Sequence, residues 1–152
     1  MITIEIDDLK SSEIAEFLAE HLDDMQAVSP PESKHALDLD ALRAPDIVFW
    51  SIRDGATPMA CGAIKKFGSK DAEIKSMRVG TGHRKKGLGA LMLEHIIAYA
   101  RAEKISRLLL ETGSMDYFVP ARQLYLKYGF DYCEPFADYE KDENSVFMVK
   151  QL

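Results

Sequence analysis

The chain has 152 residues, of which 47% are hydrophobic and 29% are charged, as in an ordinary soluble globular protein. We therefore expect a single domain over residues 1–152, with one core that needs neither disulfides nor metal. The net charge of −6 at pH 7 argues against broad electrostatic binding to nucleic acid or to an anionic membrane.

The first half of the sequence predicts strands and two helices. Ile2, Ile4 and Ile6 alternate with polar residues, which indicates a strand and not a signal peptide. The prolines at positions 30 and 31 end the helix that follows. The predicted elements are strand 2–6, helices 11–25 and 36–43, and strands 47–53, 59–67 and 72–79. Short turns join the last three strands, so we expect them to form an antiparallel meander.

The second half predicts a crossover unit. Apolar residues recur at helical spacing over 87–103, and an apolar strand follows at 107–112. A strand, a helix and a second strand follow one another here, so we expect strands 72–79 and 107–112 to be parallel neighbours. A helix at 118–128 and strands at 130–135 and 145–151 complete the chain. The expected fold is α/β (α+β): a mixed, mostly antiparallel sheet of six to seven strands, with about four helices and one parallel pair.

Several classes of site and location are disfavoured. Cys61 and Cys133 form no Cys-x-x-Cys pattern, which argues against a zinc ribbon or a disulfide scaffold. A buried thiol is the favoured reading of Cys133, with a nucleophile as the alternative. No apolar run approaches the roughly 18 residues of a spanning helix, so we expect a cytoplasmic protein. The histidines have no metal-ligand spacing, and we expect no metal at His21, His35, His83 or His95.

The most informative segment is the loop 84–89, Arg-Lys-Lys-Gly-Leu-Gly, between a strand and a helix. Glycines let the backbone approach a ligand closely, and the free N–H groups at a helix N-terminus bind anions. These features predict a site for a pyrophosphate. Cations also concentrate near the loop, which suggests a small anionic ligand: Lys75, Arg78, His83, Arg84, Lys85 and Lys86. A solvated loop with glycines placed for packing remains the alternative.

Two common phosphate-binding motifs do not fit this loop. A nucleoside-triphosphate loop needs Gly-Lys-Ser/Thr at the helix start, whereas Gly87 is followed by Leu88 and Gly89. The dinucleotide motif Gly-x-Gly-x-x-Gly does not match the spacing of Gly80, Gly82 and Gly87. A Gly-x-Ser-x-Gly nucleophile turn is not found either.

Two segments resemble the signatures of the GNAT superfamily of N-acetyltransferases. Arg84-x-x-Gly87-x-Gly89, after the strand that ends at Val79, looks like that family's coenzyme A loop. Residues 121–130, Ala-Arg-Gln-Leu-Tyr-Leu-Lys-Tyr-Gly-Phe, are similar to its second signature, a tyrosine-bearing helix that ends in Gly-Phe. The order and separation of the segments also match, and the strand pattern covers nearly the whole chain.

The resemblance implies a binding mode for acetyl-CoA, without a metal. Backbone amides of the loop would hold the pyrophosphate, and the pantetheine arm would pair with the preceding strand like an added strand. The parallel strands 72–79 and 107–112 would splay apart and admit the thioester. The implied binding residues are Met77, Arg78, Val79, Arg84, Lys85, Lys86, Gly87, Leu88 and Gly89. Either Lys85 or Lys86 could reach the adenosine phosphates, or both could be solvated.

The chemistry implied is attack of a neutral amine on the thioester carbonyl in a ternary complex. Glu73 lies eleven positions before Arg84, where some family members carry a general base, although a surface glutamate on a strand remains the alternative. Tyr125 aligns with the family's tyrosine that protonates or hydrogen-bonds the leaving sulfur. Glu73 and Tyr125 are therefore the predicted catalytic residues.

In the family, the acceptor usually enters opposite the coenzyme, between the first helices and the late loops. Here that implies contacts to a small amine or amino acid from Ser29, Glu32, Ser33 and His35, with further candidates at Tyr117, Phe118, Phe136 and Tyr139. Two alternatives stay open: a protein or peptide N-acetyltransferase, and an acetyl-CoA sensor without turnover. The sequence also leaves a homodimer open.

Overall fold

The computed structural model describes residues 1–28 and 39–152, which form a mixed sheet with helices on both faces. The strands are β1 (Ile2–Ile6), β2 (Ile47–Asp54), β3 (Thr57–Phe67), β4 (Asp71–Val79), β5 (Arg107–Gly113), β6 (Asp131–Cys133) and β7 (Ser145–Gln151). The α-helices are α1 (Ser12–Val28), α2 (Leu39–Leu42), α3 (Leu88–Ala102) and α4 (Val119–Lys127). The predicted fold class is confirmed.

The sheet has the strand order β1-β2-β3-β4-β5-β7-β6. Its first four strands form the predicted antiparallel meander, and β4 and β5 are parallel neighbours, as the crossover through α3 requires. The last strand of the chain, β7, lies between β5 and β6 and is antiparallel to both. β5 is therefore held on one side by β4 and on the other by β7.

Each face of the sheet carries its own apolar core. Trp50, Ile64 and Leu110 on one face pack with α3, whereas Phe49 and Cys61 on the other face pack with α1. Gly62 allows α3 to approach closely, because a Cβ atom there would lie 2.8 Å from the sulfur of Met77 and 2.9 Å from Cγ of Met92. A helix therefore covers each face of the strand β3.

A β-bulge in β4 sets the direction of the side chains that follow it. Ser76 has a φ of +56°, and the β3–β4 register shifts by one residue between Cys61 and Ala63. A bulge resets the alternation of side chains along a strand. As a result Met77 joins the α3 face, together with Ile74, whereas Arg78 contacts α1 on the opposite face.

The parallel pairing between β4 and β5 is short. It runs from the pair Asp71–Arg107 to the pair Ile74–Leu110, although β5 stays paired with β7 as far as Gly113. The second half of β4 therefore pairs with β3 on one side only. This opening between neighbouring strands agrees with the predicted splay, and it positions the site.

Candidate active site

A cavity of about 550 Å³ occupies the opening between β4 and β5. From Glu73 to Val79 the strand extends six residues, or about 20 Å, along its length. The apolar part of the cavity is lined by Met77, Val79, Leu88, Met92, Leu110, Phe118, Leu124 and Tyr125. Its polar lining includes Glu73, Lys75, Arg78, Arg84, Lys85, Glu111 and Tyr139. The opening thus has the length and the mixed polarity that suit a long ligand with a charged end.

The loop before α3 presents backbone donors to this cavity. Gly87 is the N-cap of α3, in the left-handed conformation with φ +78°, and no side chain of the described residues caps the helix there. The first intrahelical bond of α3 runs from the N–H of Leu91 to the carbonyl of Gly87, 3.0 Å away. The N–H groups that precede Leu91 in the helix have no intrahelical acceptor, which makes this end of α3 suited to an anion.

The cationic side chains of the loop differ in their placement. Arg84 and Lys85 line the cavity, and the Arg84 guanidinium donates a 3.1 Å hydrogen bond to the hydroxyl of Tyr117. Lys86 is exposed and is not part of the cavity lining. The structure therefore groups every sequence-predicted coenzyme-binding residue around one cavity, apart from Lys86.

The Gly-Phe signature after α4 fixes the position of Tyr125. Gly129 has a φ of +90°, and its N–H bonds the carbonyl of Leu126, while the N–H of Phe130 bonds the carbonyl of Tyr125 at 3.1 Å. This pattern of two bonds around a left-handed glycine ends a helix. The chain then turns so that the Phe130 ring packs against the Tyr125 ring, with centroids 5.5 Å apart. Tyr125 is 5% exposed, and burial raises the pKa of its hydroxyl.

Arg78 is a residue of β4 that lines the cavity, and its side chain contacts α1. Its guanidinium forms ion pairs with Asp24 and, at 3.5 Å, with Glu20, and it lies over the ring of Phe17. Burial and the positive charge of Arg78 lower the pKa of the neighbouring His21 to about 4. The Arg78 side chain is thus bound to α1, which leaves its main chain for the contact that the sequence predicts.

Cys61 does not have the properties of a nucleophile. Its thiol is buried and donates a hydrogen bond to the carbonyl of Ser76, and burial raises its pKa to about 12. A nucleophilic cysteine needs the thiolate, which such a thiol does not supply near pH 7.

Glu73 is engaged by two other side chains. Its carboxylate accepts a hydrogen bond from the Lys75 ammonium at 3.0 Å and another from the hydroxyl of Tyr139. The Glu73 side chain is 7% exposed. Tyr139 lies in the segment between β6 and β7, where its ring packs against Phe136 and Phe147. The predicted base therefore lies in the cavity, but in a hydrogen-bonded cluster.

The structure identifies a second carboxylate in the cavity, that of Glu111, which the sequence did not predict as a site residue. It follows Leu110, the last β5 residue paired with β4, and it lines the cavity. Burial raises its pKa from 4.5 to about 7, an effect that the Ser145 hydroxyl and the Lys75 ammonium partly offset and the Glu73 carboxylate reinforces. Glu111 is poised to exchange protons near neutral pH.

The raised pKa of Glu111 predicts a pH-dependent stability gain for Glu111→Gln. The folded state binds this proton more tightly than the unfolded state, so the wild-type protein loses stability as the pH rises from 4.5 through 7. Glutamine carries no charge, so its burial does not lower the stability as the pH rises. At 1.36 kcal/mol per pKa unit, the variant should gain up to about 3 kcal/mol at pH 8, and almost nothing below pH 4.5. Urea unfolding at pH 4.2 and pH 8 tests this, and equal differences at both values would contradict it.

The predicted acceptor contacts Ser29, Glu32, Ser33 and His35 lie outside the described residues. Of the further candidates, Tyr117, Phe118 and Tyr139 line the cavity, whereas Phe136 supports Tyr139. Within residues 1–28 and 39–152, no group of three or more His, Cys, Asp and Glu side chains is arranged to hold a metal ion. Over the same ranges, no helix combines the length and the apolar character that crossing a membrane requires.

Known proteins resemble this chain in sequence and in fold. Residues 11–130 match the model of the acetyltransferase (GNAT) family. The chain is 51% identical over 149 residues to the uncharacterized N-acetyltransferase YsnE of Bacillus subtilis, covering 98% of this chain and 99% of that protein. It is 43% identical over 152 residues to the uncharacterized N-acetyltransferase YedL of Escherichia coli, covering 100% and 96%. The solved PaiA N-acetyltransferase of Thermoplasma acidophilum, in complex with coenzyme A, shares the fold, with a TM-score of 0.72, 15% identity and coverage of 100% and 99%.

Proposed function

The chain belongs to the acetyltransferase (GNAT) family, and from this we propose that it transfers the acetyl group of acetyl-CoA to the amine of a small molecule or amino acid. The observation that carries the proposal is one cavity with an uncapped helix N-terminus at the loop and a carboxylate of raised pKa among its lining residues. The first can bind a pyrophosphate, and the second can take up the proton of the acceptor.

The opening of the sheet supports the placement of the donor. Beyond Ile74 the side of β4 that faces β5 has no strand partner among residues 1–28 and 39–152, so an extended pantetheine arm can pair there as an added strand. Met77, Arg78 and Val79 supply that stretch of main chain, and the amides at Gly87–Gly89 bind the pyrophosphate. The thioester then lies between β4 and β5, close to Tyr125.

Glu111 is the better candidate for the general base. A lysine-like amine with a pKa near 10.4 must lose a proton at a cost of about 4.6 kcal/mol at pH 7. Transfer to a carboxylate of pKa about 7 is less unfavourable than transfer to one of 4.5, by about 3 kcal/mol, and such a carboxylate is still partly ionised at pH 7. Glu73 remains a predicted base, but its carboxylate already accepts two hydrogen bonds.

Tyr125 acts on the leaving sulfur as a hydrogen-bond donor. A thiol has a pKa near 8.5, whereas burial raises the pKa of Tyr125 above the usual value of 10. Complete transfer of the tyrosine proton to the thiolate is therefore uphill, and donation of a hydrogen bond is the favoured role. The thiolate carries little excess free energy near pH 7, so a single donor is sufficient help.

Tyr125→Phe should lower kcat by about 10²-fold, the usual effect of losing one preorganised donor to developing charge. The affinity for acetyl-CoA should stay near the parental value, because the ring and the Phe130 contact are retained. Leu126→Ala serves as the matched control on α4, since Leu126 is 43% exposed and lies outside the cavity. Unchanged turnover in Tyr125→Phe, measured by release of free thiol, would remove Tyr125 from the mechanism.

The reaction itself is tested with a panel of amines, again by following thiol release. We expect amine-dependent release that follows saturation kinetics, with an acetylated product of the mass that amide formation requires. An acetyl-CoA sensor without turnover would bind the donor and stay silent with every amine, including peptides that carry a free N-terminus. That result would contradict the proposed function.

A further inference from the structure

The Glu73–Lys75–Tyr139 cluster is a closed triangle of hydrogen bonds. The Lys75 ammonium lies 3.0 Å from the Glu73 carboxylate and 3.0 Å from the Tyr139 hydroxyl, and that hydroxyl donates to Glu73. The side chains of Lys75 and Glu73 are 10% and 7% exposed. An ion pair withdrawn this far from water is a weak source of stability, because the loss of hydration nearly cancels the attraction. Its position beside the cavity therefore points to a role other than stability.

The cluster is also a wall between two spaces. Glu73, Lys75 and Tyr139 line the cavity between β4 and β5, and all three also line a second, polar pocket of about 690 Å³ under the segment 137–144. The cluster therefore separates the cavity from the outer pocket.

Glu111 lies next to this wall. Side chains alternate along a strand, so Glu111 faces away from Leu110 and the α3 core, as Glu73 and Lys75 face away from Ile74. The groups that act on its carboxyl come from three elements: Glu73 and Lys75 on β4, Asp142 in the segment before β7, and Ser145 on β7. Tyr139, which spans the pair, is itself within the electrostatic influence of both glutamates.

We propose that Glu73 and Lys75, held together by Tyr139, are positioning residues that set the protonation state of Glu111 and thereby the pH range of acetyl transfer. This inference rests on the proposed function, since it takes Glu111 as the base. The two charges act in opposite directions: the Lys75 ammonium favours the ionised Glu111 carboxylate, and the Glu73 carboxylate favours its protonated form. Burial raises the pKa of Glu111 most, and the two charges adjust it in opposite directions around neutral pH.

Two charge-removing variants should shift the titration of Glu111 in opposite directions. With Lys75→Met, the midpoint should rise by about one pH unit, as expected for loss of a nearby opposite charge. With Glu73→Gln it should fall by about one pH unit, because a like charge is lost. Glu73→Gln/Lys75→Met should return close to the parent. Lys65→Met is the matched control, since Lys65 lines only the outer pocket, and it should leave the midpoint unchanged.

Two readouts separate this inference from the proposed function. Carbon NMR of carboxyl-labelled glutamate follows the Glu111 midpoint without substrates, with Glu111→Gln to assign the signal, and the profile of kcat/KM against pH follows it in turnover. Midpoints that stay at the parental value in both single variants, or that move in the same direction, would overturn the inference. If Glu73→Gln fails to fold, Lys75→Met and the double variant still decide it.

Failure of the base assignment would look different. A fully active Glu111→Gln would contradict the base role in the proposed function, whatever the NMR midpoints do. Loss of activity in Glu73→Gln at every pH, with an unchanged Glu111 midpoint, would overturn the positioning role and assign the base to Glu73.

Discussion

Glu111→Gln should lower kcat/KM for the amine by about 10³-fold, in the middle of the range of 10²–10⁴ for loss of a general base. The amide keeps the shape of the carboxylate but cannot accept the proton of the acceptor. Because the penalty of burying a charge also disappears, the variant should be at least as stable as the parent at pH 8. A loss of activity together with a gain of stability identifies a residue that acts in chemistry and not in folding.

The pH profile sharpens this prediction. In the parent, kcat/KM should rise with pH with a midpoint near 7, and below it fall tenfold per pH unit, because only the ionised Glu111 accepts a proton. The residual activity of Glu111→Gln should lose this midpoint and follow the fraction of neutral amine instead, rising up to an amine pKa near 10.4. Glu140→Gln is the control, since Glu140 is exposed and lines only the outer pocket. A midpoint that stays near 7 in Glu111→Gln would show that another group is the base.

Gly87→Val should weaken the binding of coenzyme A by at least about 100-fold while the protein stays folded. A Cβ atom at Gly87 would meet no atom of the described part of the chain within 4 Å, so a ligand can approach there. A β-branched residue avoids φ +78°, and the loop must therefore rearrange and withdraw its amides. Loss of two hydrogen bonds to a charged group, each of about 1.5–3 kcal/mol, lowers affinity by at least about 100-fold.

Gly55→Val separates loss of the site from general backbone strain. Gly55 lies in the turn between β2 and β3, also with a positive φ (+62°), and an added Cβ there would likewise have no atom of residues 1–28 and 39–152 within 4 Å. This variant should lose a similar amount of stability and retain the parental affinity in calorimetry with coenzyme A. Equal affinity in both variants would place the pyrophosphate away from Gly87.

Much of this architecture follows from local sequence signals. Three of these signals each depend on nearby residues only: the apolar periodicity of α3, the prolines after α1 and the glycine that ends α4. The crossover rule then fixes β4 and β5 as parallel neighbours. The two motifs that resemble the GNAT signatures also act locally: one is a helix start, and the other is a helix end that fixes Tyr125.

The environment of the acid–base groups could not be predicted from local sequence, because it depends on contacts between segments that are distant in the chain. In the sequence, Glu111 is an ordinary residue of the segment Arg-Leu-Leu-Leu-Glu-Thr. It becomes a candidate base because it lies where β5 separates from β4. A glutamate at the end of an apolar strand that borders a predicted splay was the available signal. The bond between Glu73 and Tyr139 spans 66 positions, and the bulge at Ser76 that turns Arg78 toward α1 has no local sequence signature.

The central claim is that the loop before α3 binds the pyrophosphate of the acyl donor at the opening of the sheet. The most direct test is a titration of the labelled protein with coenzyme A, followed through its backbone amide NMR signals. The largest shifts should occur at Gly87, Leu88 and Gly89, with smaller ones at Met77 and Val79. Shifts confined to another surface, or none at saturating coenzyme A, would contradict the claim and the mechanism that depends on it.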